Sequence, residues 1–215
     1  MIFQKTLQIF VLLIITSNLF SLEFVNIGFN NGICKVTDFN SNEELNESCY
    51  SWGISTQFKF VKHADIEVDV HFNEFSYSFV GDPRTGLLPP EEDDSTYVQK
   101  IENTVSITPI SLTIKPSYTF DKFSIYSNIG LSYIVIKSEL LGTVTNTKTT
   151  GSNNCFGVSL HMGASYNIND QLSIDCSLRS TYKYENSLAI ADGYNPLTQS
   201  FFLFFTSLGL NYNFD

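Results

Sequence analysis

The chain ends Gln199-Ser200-Phe201-Phe202-Leu203-Phe204-Phe205-Thr206-Ser207-Leu208-Gly209-Leu210-Asn211-Tyr212-Asn213-Phe214-Asp215, and this stretch decides the fold. From Phe202 every second side chain is large and apolar (Phe202, Phe204, Leu208, Leu210, Tyr212, Phe214), interrupted only by Thr206, while Ser207, Gly209, Asn211 and Asn213 are small or polar. Period-two alternation marks a β-strand with one oily and one wet face. The strand is longer than the five or six residues usual in a soluble sheet. It reaches the roughly 9 to 11 residues that a tilted strand needs to cross a bilayer. A membrane β-barrel is the architecture this implies.

The same period recurs upstream. It predicts eight strands, at 23–37, 49–61, 65–80, 96–120, 122–138, 154–168, 171–186 and 199–214. The cleanest alternations are Trp52, Ile54, Thr56, Phe58 and Phe60 in the second, and Phe156, Val158, Leu160 and Met162 in the sixth. The seventh carries Leu172, Ile174, Cys176 and Leu178 in the same way. Long polar connections are expected after strands one, three, five and seven, and tight turns at Lys62–Ala64, Asp121 and Asn169–Asp170. This short–long rhythm is that of outer-membrane barrels. Aromatic residues gather at both strand ends, as two interfacial girdles would require: Trp52, Tyr97, Tyr133, Tyr182 and Tyr184 at one, and Phe58, Phe60, Tyr118, Phe120, Phe123, Tyr166, Tyr212 and Phe214 at the other. Two places break phase. At Pro109 the apolar positions pass from Val105 and Ile107 to Ile110, Leu112 and Ile114, and near Asn73 and Glu74 from Val68 and Val70 to Phe75, Tyr77 and Phe79. A β-bulge is expected at Pro109, which cannot donate to a ladder.

Composition agrees with an exported membrane protein. Residues 1–21 carry Lys5, an apolar core at Ile9–Ile15 and a final Leu19-Phe20-Ser21, the build of a secretory signal, so the barrel domain is expected over 22–215. Charged residues are 16% of the chain, against about 25% in ordinary soluble domains, and aromatics are 14%. Removing Lys5 from the 12 basic residues leaves 11 against 22 acidic ones, which argues against nucleic acid as a partner. Two acidic segments, Asp38–Glu47 and Glu91–Asp94, read as solvated loops. Four cysteines in an exported chain allow three pairings if all are oxidised. Cys34 and Cys49 flank a polar loop on one face and form the candidate disulfide, whereas Cys155 and Cys176 are placed too far apart.

The C-terminal Ser207-Leu208-Gly209-Leu210-Asn211-Tyr212-Asn213-Phe214 resembles the signal by which the outer-membrane assembly machinery recognises its clients, with Ser207, Gly209, Tyr212 and Phe214 as its residues. Asp215 is a departure, since that signal usually ends on the aromatic. The Pro-centred Ile107–Tyr118 stretch and Asn128-Ile129-Gly130-Leu131-Ser132-Tyr133 are similar to small outer-membrane barrels of the PorT-like and OmpA/OmpX type. The resemblance covers about residues 22–215. It implies an all-β, eight-stranded antiparallel transmembrane up-and-down barrel in the outer membrane, with its loops facing the exterior and lipid around it.

Chemistry would reside on the inward face, where parity places Lys59, Glu67, Asp69, His71, Lys115, His161, Asp175, Arg179, Lys183 and Glu185. Lys59 and Glu67 are expected to face each other across the turn at 62–64, and Lys115 to come from the strand beside Asp69. Eight strands enclose little more than side-chain volume, so these groups read as an ion network plugging the lumen. The alternative is a small gated pore. Glu67, Asp69 and His71 share a face and could in principle hold a metal, but no fourth ligand accompanies them, so neither metal nor cofactor is expected. Ser159 and Ser165 flank His161, as a lipid-modifying hydrolase would need, yet an acyl chain would lie on the outer face where no His projects. No Gly-rich phosphate loop, CxxC or HExxH occurs. The expectation is a non-enzymatic barrel with a structural or surface-binding role and an unnamed extracellular ligand. A small porin and a secreted soluble barrel with an apolar ligand remain the alternatives.

Overall fold

The computed structural model describes residues 23–38, 46–62, 64–81, 99–142, 146, 148–183 and 201–214. The expected all-β, eight-stranded antiparallel barrel is the observed architecture. Strands β1 (Phe24–Asp38), β2 (Asn46–Val61), β3 (Ala64–Gly81), β4 (Gln99–Phe120), β5 (Phe123–Gly142), β6 (Lys148–Asn167), β7 (Leu172–Lys183) and β8 (Phe201–Asn213) follow one another around a closed, up-and-down barrel. β8 returns to β1 in an unbroken register from Asn26 opposite Asn213 to Asp38 opposite Phe201. Closure leaves no sheet edge, which is what a strand structure in hydrocarbon requires. The expected leader at 1–21, the Glu91–Asp94 segment, Tyr97, Tyr184 and Glu185 lie outside the described residues.

The tight turns have local causes. Asp121 sits at φ 52° in the two-residue link between β4 and β5, where paired antiparallel strands favour left-handed backbone. Between β6 and β7 the side-chain oxygen of Asn169 accepts the backbone N–H groups of Gln171 and Leu172 at 2.9 and 2.8 Å. At the opposite end β5 and β6 run further than the periodicity suggests, pairing out to Leu141 and Lys148.

The two phase breaks are not bulges. β4 and β5 hold one register through the proline, with Ile107 opposite Ile136, Pro109 opposite Ile134 and Ile110 opposite Tyr133. β3 and β4 likewise pair Val70 with Ile110 and Asn73 with Ile107, so the ladder only skips the proline. Asn73 spans the gap by donating its side-chain N–H to the Ile107 carbonyl at 2.9 Å. What changes is the medium on each side. Toward the turn end the interior is polar (Gln57, Glu67, Asp69, Asn128, Ser177) and the outer wall apolar, with Leu112, Leu131, Met162 and Leu208 more than half exposed. Toward the loop end the interior is a packed apolar cluster of Val36, Phe75, Val105, Ile107, Ile134, Ile136, Phe201 and Leu203. Its outer wall carries exposed Glu74, Lys137, Glu139 and Ser152. Apolar residues therefore swap faces while the strands keep their register.

The apolar outer band has bilayer height. On β6 it runs from Phe156 to Tyr166, roughly 33 Å of strand or about 25 Å once tilted by some 40°. Tyr118, Phe120, Phe123, Tyr166, Tyr212 and Phe214 ring its turn end, all exposed. Tyr133 packs against Phe156 at its other border, with ring centroids 5.4 Å apart.

The swap of faces makes Ile107 a core residue and its neighbour Thr108 an outer one. Ile107→Ala should cost about 2–5 kcal/mol in urea unfolding of micelle-refolded protein. Thr108→Ala should cost about 0.5 kcal/mol or less. The reverse order would show that β4 slips at Pro109.

Candidate functional site

The polar half of the lumen is organised around Glu67, on the inward row of β3 with Asp69 and His71. Its two carboxylate oxygens take four partners from four other strands. Lys115 Nζ donates to Oε2 at 2.9 Å and Gln57 Nε2 to the same atom at 3.0 Å. Asn128 Nδ2 donates to Oε1 at 3.0 Å, and Arg179 Nη2 lies 3.8 Å from that oxygen. Arg179 extends from β7 across the interior to Asp69 at 3.1 Å and to His71 Nε2 at 2.9 Å. An arginine only donates, so His71 Nε2 accepts and its proton sits on Nδ1, which faces Ser51 Oγ at 3.4 Å. His71 is thereby held neutral and cannot take a proton from Ser51.

Asp175 is satisfied separately. The Tyr126 hydroxyl donates to it, lying 2.6 and 2.8 Å from its two oxygens. Lys115 Nζ stands 4.0 Å over the Tyr126 ring, which links this pair to Glu67. Tyr126 lies against Gly163, where a Cβ would collide with the phenol oxygen, so only glycine leaves the ring its place. Higher in the lumen Ser132, Ser111, Ser159 and Thr181 share a chain of hydroxyl hydrogen bonds. Below the network a polar vestibule of about 200 Å³ opens at the turn end, lined by Asn26, Asp65, Lys115, Tyr126, Asp175 and Asn211.

Of the residues expected in the network, Glu67, Asp69, His71, Lys115 and Arg179 meet, and Asp175 joins them through Tyr126 and Lys115. Lys59 does not. It pairs in register with Asp65, two residues nearer the rim than Glu67, and its side chain is exposed. The expected Lys59–Glu67 pairing is thus replaced by Gln57 opposite Glu67. Lys115 likewise pairs with Asp65 and reaches Glu67 diagonally, while Ser111 stands opposite Asp69. Lys183 is fully buried in the apolar half instead, its ammonium 5.4 Å from the Phe201 ring centroid. Tyr126, Gln57 and Asn128 are members that parity alone could have found, since each shares the inward row of its strand.

The arrangement limits the chemistry. Among the described residues, the group able to offer converging ligand atoms is Glu67, Asp69 and His161, within 4.8 Å of one another, rather than Glu67, Asp69 and His71. Lys115 and Arg179 already stand against both carboxylates, so a metal cation would enter a place held by two fixed positive charges. His161 Nδ1 has no hydrogen-bond partner among the described residues and lies 3.9 Å from Glu67 Oε1, beyond hydrogen-bond reach. Ser159 spends its hydroxyl on Ser132 and Thr181. The serine, histidine and carboxylate of a hydrolase are not brought into contact there.

At the seam, Ser207 faces inward and hydrogen-bonds Ser177 at 2.8 Å. At Gly209 an added Cβ would run into the Asn30 side-chain oxygen. Tyr212 and Phe214 lie on the outer wall with ring centroids 5.1 Å apart, and Phe214 N–H bonds the Val25 carbonyl across the seam at 2.9 Å. Cys34 and Cys49 face each other inside the loop end.

A closed eight-strand sheet with an apolar belt and a filled polar interior has a counterpart among family models. The model described as outer membrane protein beta-barrel domain matches residues 19–214. The chain belongs to this family. Among solved structures of outer-membrane barrels it is similar to Neisserial surface protein A (NspA), with 12% identity over 88% of this chain and 97% of that one and a TM-score of 0.58. It is similar to Ail, the attachment invasion locus protein of Yersinia pestis, at 13% identity over 89% and 99% and a TM-score of 0.52. A major outer membrane protein from Thermus thermophilus gives 12%, 87% and 99%, and 0.52. At these identities the likeness is one of fold. No curated protein sequence matches the chain.

The network makes Glu67 the costliest lumen residue to remove. Glu67→Gln should destabilise the barrel by about 3–5 kcal/mol, because Lys115 is left buried beside a neutral amide. Lys115→Met added to it should recover part of the loss. Lys59→Ala should change stability by no more than about 0.5 kcal/mol. A double-mutant cycle in micelles that finds no coupling between Glu67 and Lys115 would remove that pair from the account.

Proposed function

We propose that this protein is a non-conducting, non-enzymatic outer-membrane barrel with a structural or surface-binding role, its tight turns toward the periplasm and its long connections outside. The observation that carries the reading is the doubly filled interior. Solute crossing the barrel would have to part the Glu67–Lys115–Arg179 network and then the apolar cluster above it. An eight-strand barrel encloses little beyond side-chain volume, so neither layer has room to withdraw. The same packing disfavours a lipocalin-like carrier, because the apolar part of the interior is occupied by its own side chains.

With passage and interior binding set aside, the outer surface is left to act. Beyond the apolar band the outer wall of β3–β6 carries a polar groove of about 400 Å³, lined by Glu74, Ser106, Lys137, Glu139, Thr150 and Ser152. Its acids and its amine are mixed with hydroxyls, and Glu139 is paired with Lys148 at 2.6 Å. A neutral, hydroxyl-rich ligand matches that lining. Ail has been solved in complex with the heparin analogue sucrose octasulfate. A polyanion of that kind suits this chain poorly, given its formal net charge of −10.

Purified protein in planar bilayers should give no steady conductance at neutral pH. Reproducible single-channel steps, altered by Arg179→Ala, would make the pore the better reading. Tyr212→Ala with Phe214→Ala should sharply lower the amount of heat-modifiable, folded protein in outer-membrane fractions, as loss of an assembly signal requires. Unchanged abundance of the double variant would remove the C-terminal signal from the proposal.

A further inference from the structure

The four cysteines are not equivalent in space. Cys34 on β1 and Cys49 on β2 are direct cross-strand partners, three rungs inside the last pair, Thr37 with Asn46. Both are free thiols in the structure, and both are buried inside the barrel in one apolar cluster. Directly opposed residues of an antiparallel pair have Cα atoms about 4.5–5.5 Å apart. A disulfide spans about 4.4–6.8 Å between Cα atoms. Neither of the other cysteines competes. Cys155 faces Ile134 and directs its thiol to that residue's carbonyl at 3.9 Å, and Cys176 sits on the outer wall between Ala164 and Leu208.

We infer that Cys34 and Cys49 are joined by a disulfide in the mature protein, made before the barrel closes, which fixes the register of β1 on β2. The chemistry is thiol–disulfide exchange with an oxidised dithiol partner of the cell envelope. One cysteine thiolate attacks a sulfur of the partner's disulfide and expels the other sulfur as a thiolate. The second cysteine then displaces the partner from the mixed disulfide. Cys34 and Cys49 give up two electrons and two protons, and the partner's disulfide leaves as two thiols.

The order of events follows from burial. In the closed barrel Cys34 stands opposite Phe205 on β8, and Val36 opposite Leu203, so closure of the seam covers the pair with apolar side chains. A folded oxidoreductase cannot reach sulfurs in that position. Exchange therefore belongs to the open chain, when β1 and β2 form a hairpin and β8 has not yet docked. The strand that must receive β8 is by then already held in register. Once the seam closes, the same burial shields the bond from reductants.

The inference rests on export through an oxidising compartment, and the test separates the two. Protein from outer-membrane fractions is denatured with an alkylating reagent and no reductant, then weighed intact and after digestion. Two alkylated cysteines, Cys155 and Cys176, with one peptide pair linking Cys34 to Cys49, are expected; prior reduction should give four. Cys34→Ser should give three without reductant, and Cys155→Ser one with the link intact. Four alkylated cysteines in membrane-inserted protein would overturn the bridge and leave the export reading standing. A second arm is independent of export: purified, denatured chain is refolded into detergent micelles from a glutathione redox buffer. The Cys34–Cys49 link should form, and the oxidised chain should reach the folded, heat-modifiable form faster than Cys34→Ser/Cys49→Ser. Scrambled pairing, or equal rates for the two chains, would overturn the proposed role in closure.

Discussion

Closure of β8 onto β1 is the constraint from which the other features of this barrel follow. A sheet that returns to its first strand pairs every backbone group in the ladder without an edge, and with eight strands it leaves an interior only as wide as its own side chains. Each inward residue must therefore find its partner among a few neighbours. Polar residues are admissible inside only as a satisfied set, and apolar residues only where they pack. Both solutions are used here, one above the other. On β3–β6 the outer wall takes the complementary character at each level, apolar against lipid where the inside is polar and polar against water where the inside is apolar. Ile33, Tyr50 and Phe204, by contrast, stay exposed beside the buried Cys34, Cys49 and Phe205.

The polar layer illustrates how such a set is satisfied. Glu67 alone would be prohibitively costly inside the barrel, and Lys115 and Arg179 equally so. Brought together from β3, β4 and β7, with Gln57 and Asn128 completing the carboxylate's hydrogen bonds, they form a cross-brace between walls distant in sequence. Arg179 is the longest brace, since it ties β7 to both Asp69 and His71. Most donors and acceptors of the network bind one another, and among the described residues Asn128 Oδ1 and His161 Nδ1 are left without a hydrogen bond.

Much of this was legible in the sequence because period two is a one-dimensional trace of which side of a sheet a residue occupies. The runs at Trp52–Phe60 and Phe202–Phe214 placed β2 and β8 to within about three residues, while Phe156–Ile168 located the turn end of β6 but not its start at Lys148. Parity also put Glu67, Asp69, His71, Lys115, Asp175 and Arg179 on one face. It failed where it was read as polarity instead of side. Val105, Ile107, Phe75, Phe201 and Leu203 are apolar and inward, so a change of medium along the barrel axis looked like a slip of register at Pro109 and Asn73. Lys59 was misplaced for another reason: its row does point inward, but it stands at the rim, where the barrel no longer encloses it.

Strand count, the sides of the strands outside the Asn73 and Pro109 stretches, the alternation of tight and long connections and the family likeness were all present in the sequence, because each of these is set by local alternation and turn chemistry. Only the tertiary structure decided which charges meet, which rim residues escape the lumen and where the interior turns from polar to apolar. Those outcomes depend on stagger between strands and on the position of each rung along the barrel axis, and neither quantity is carried by the alternation of a single strand.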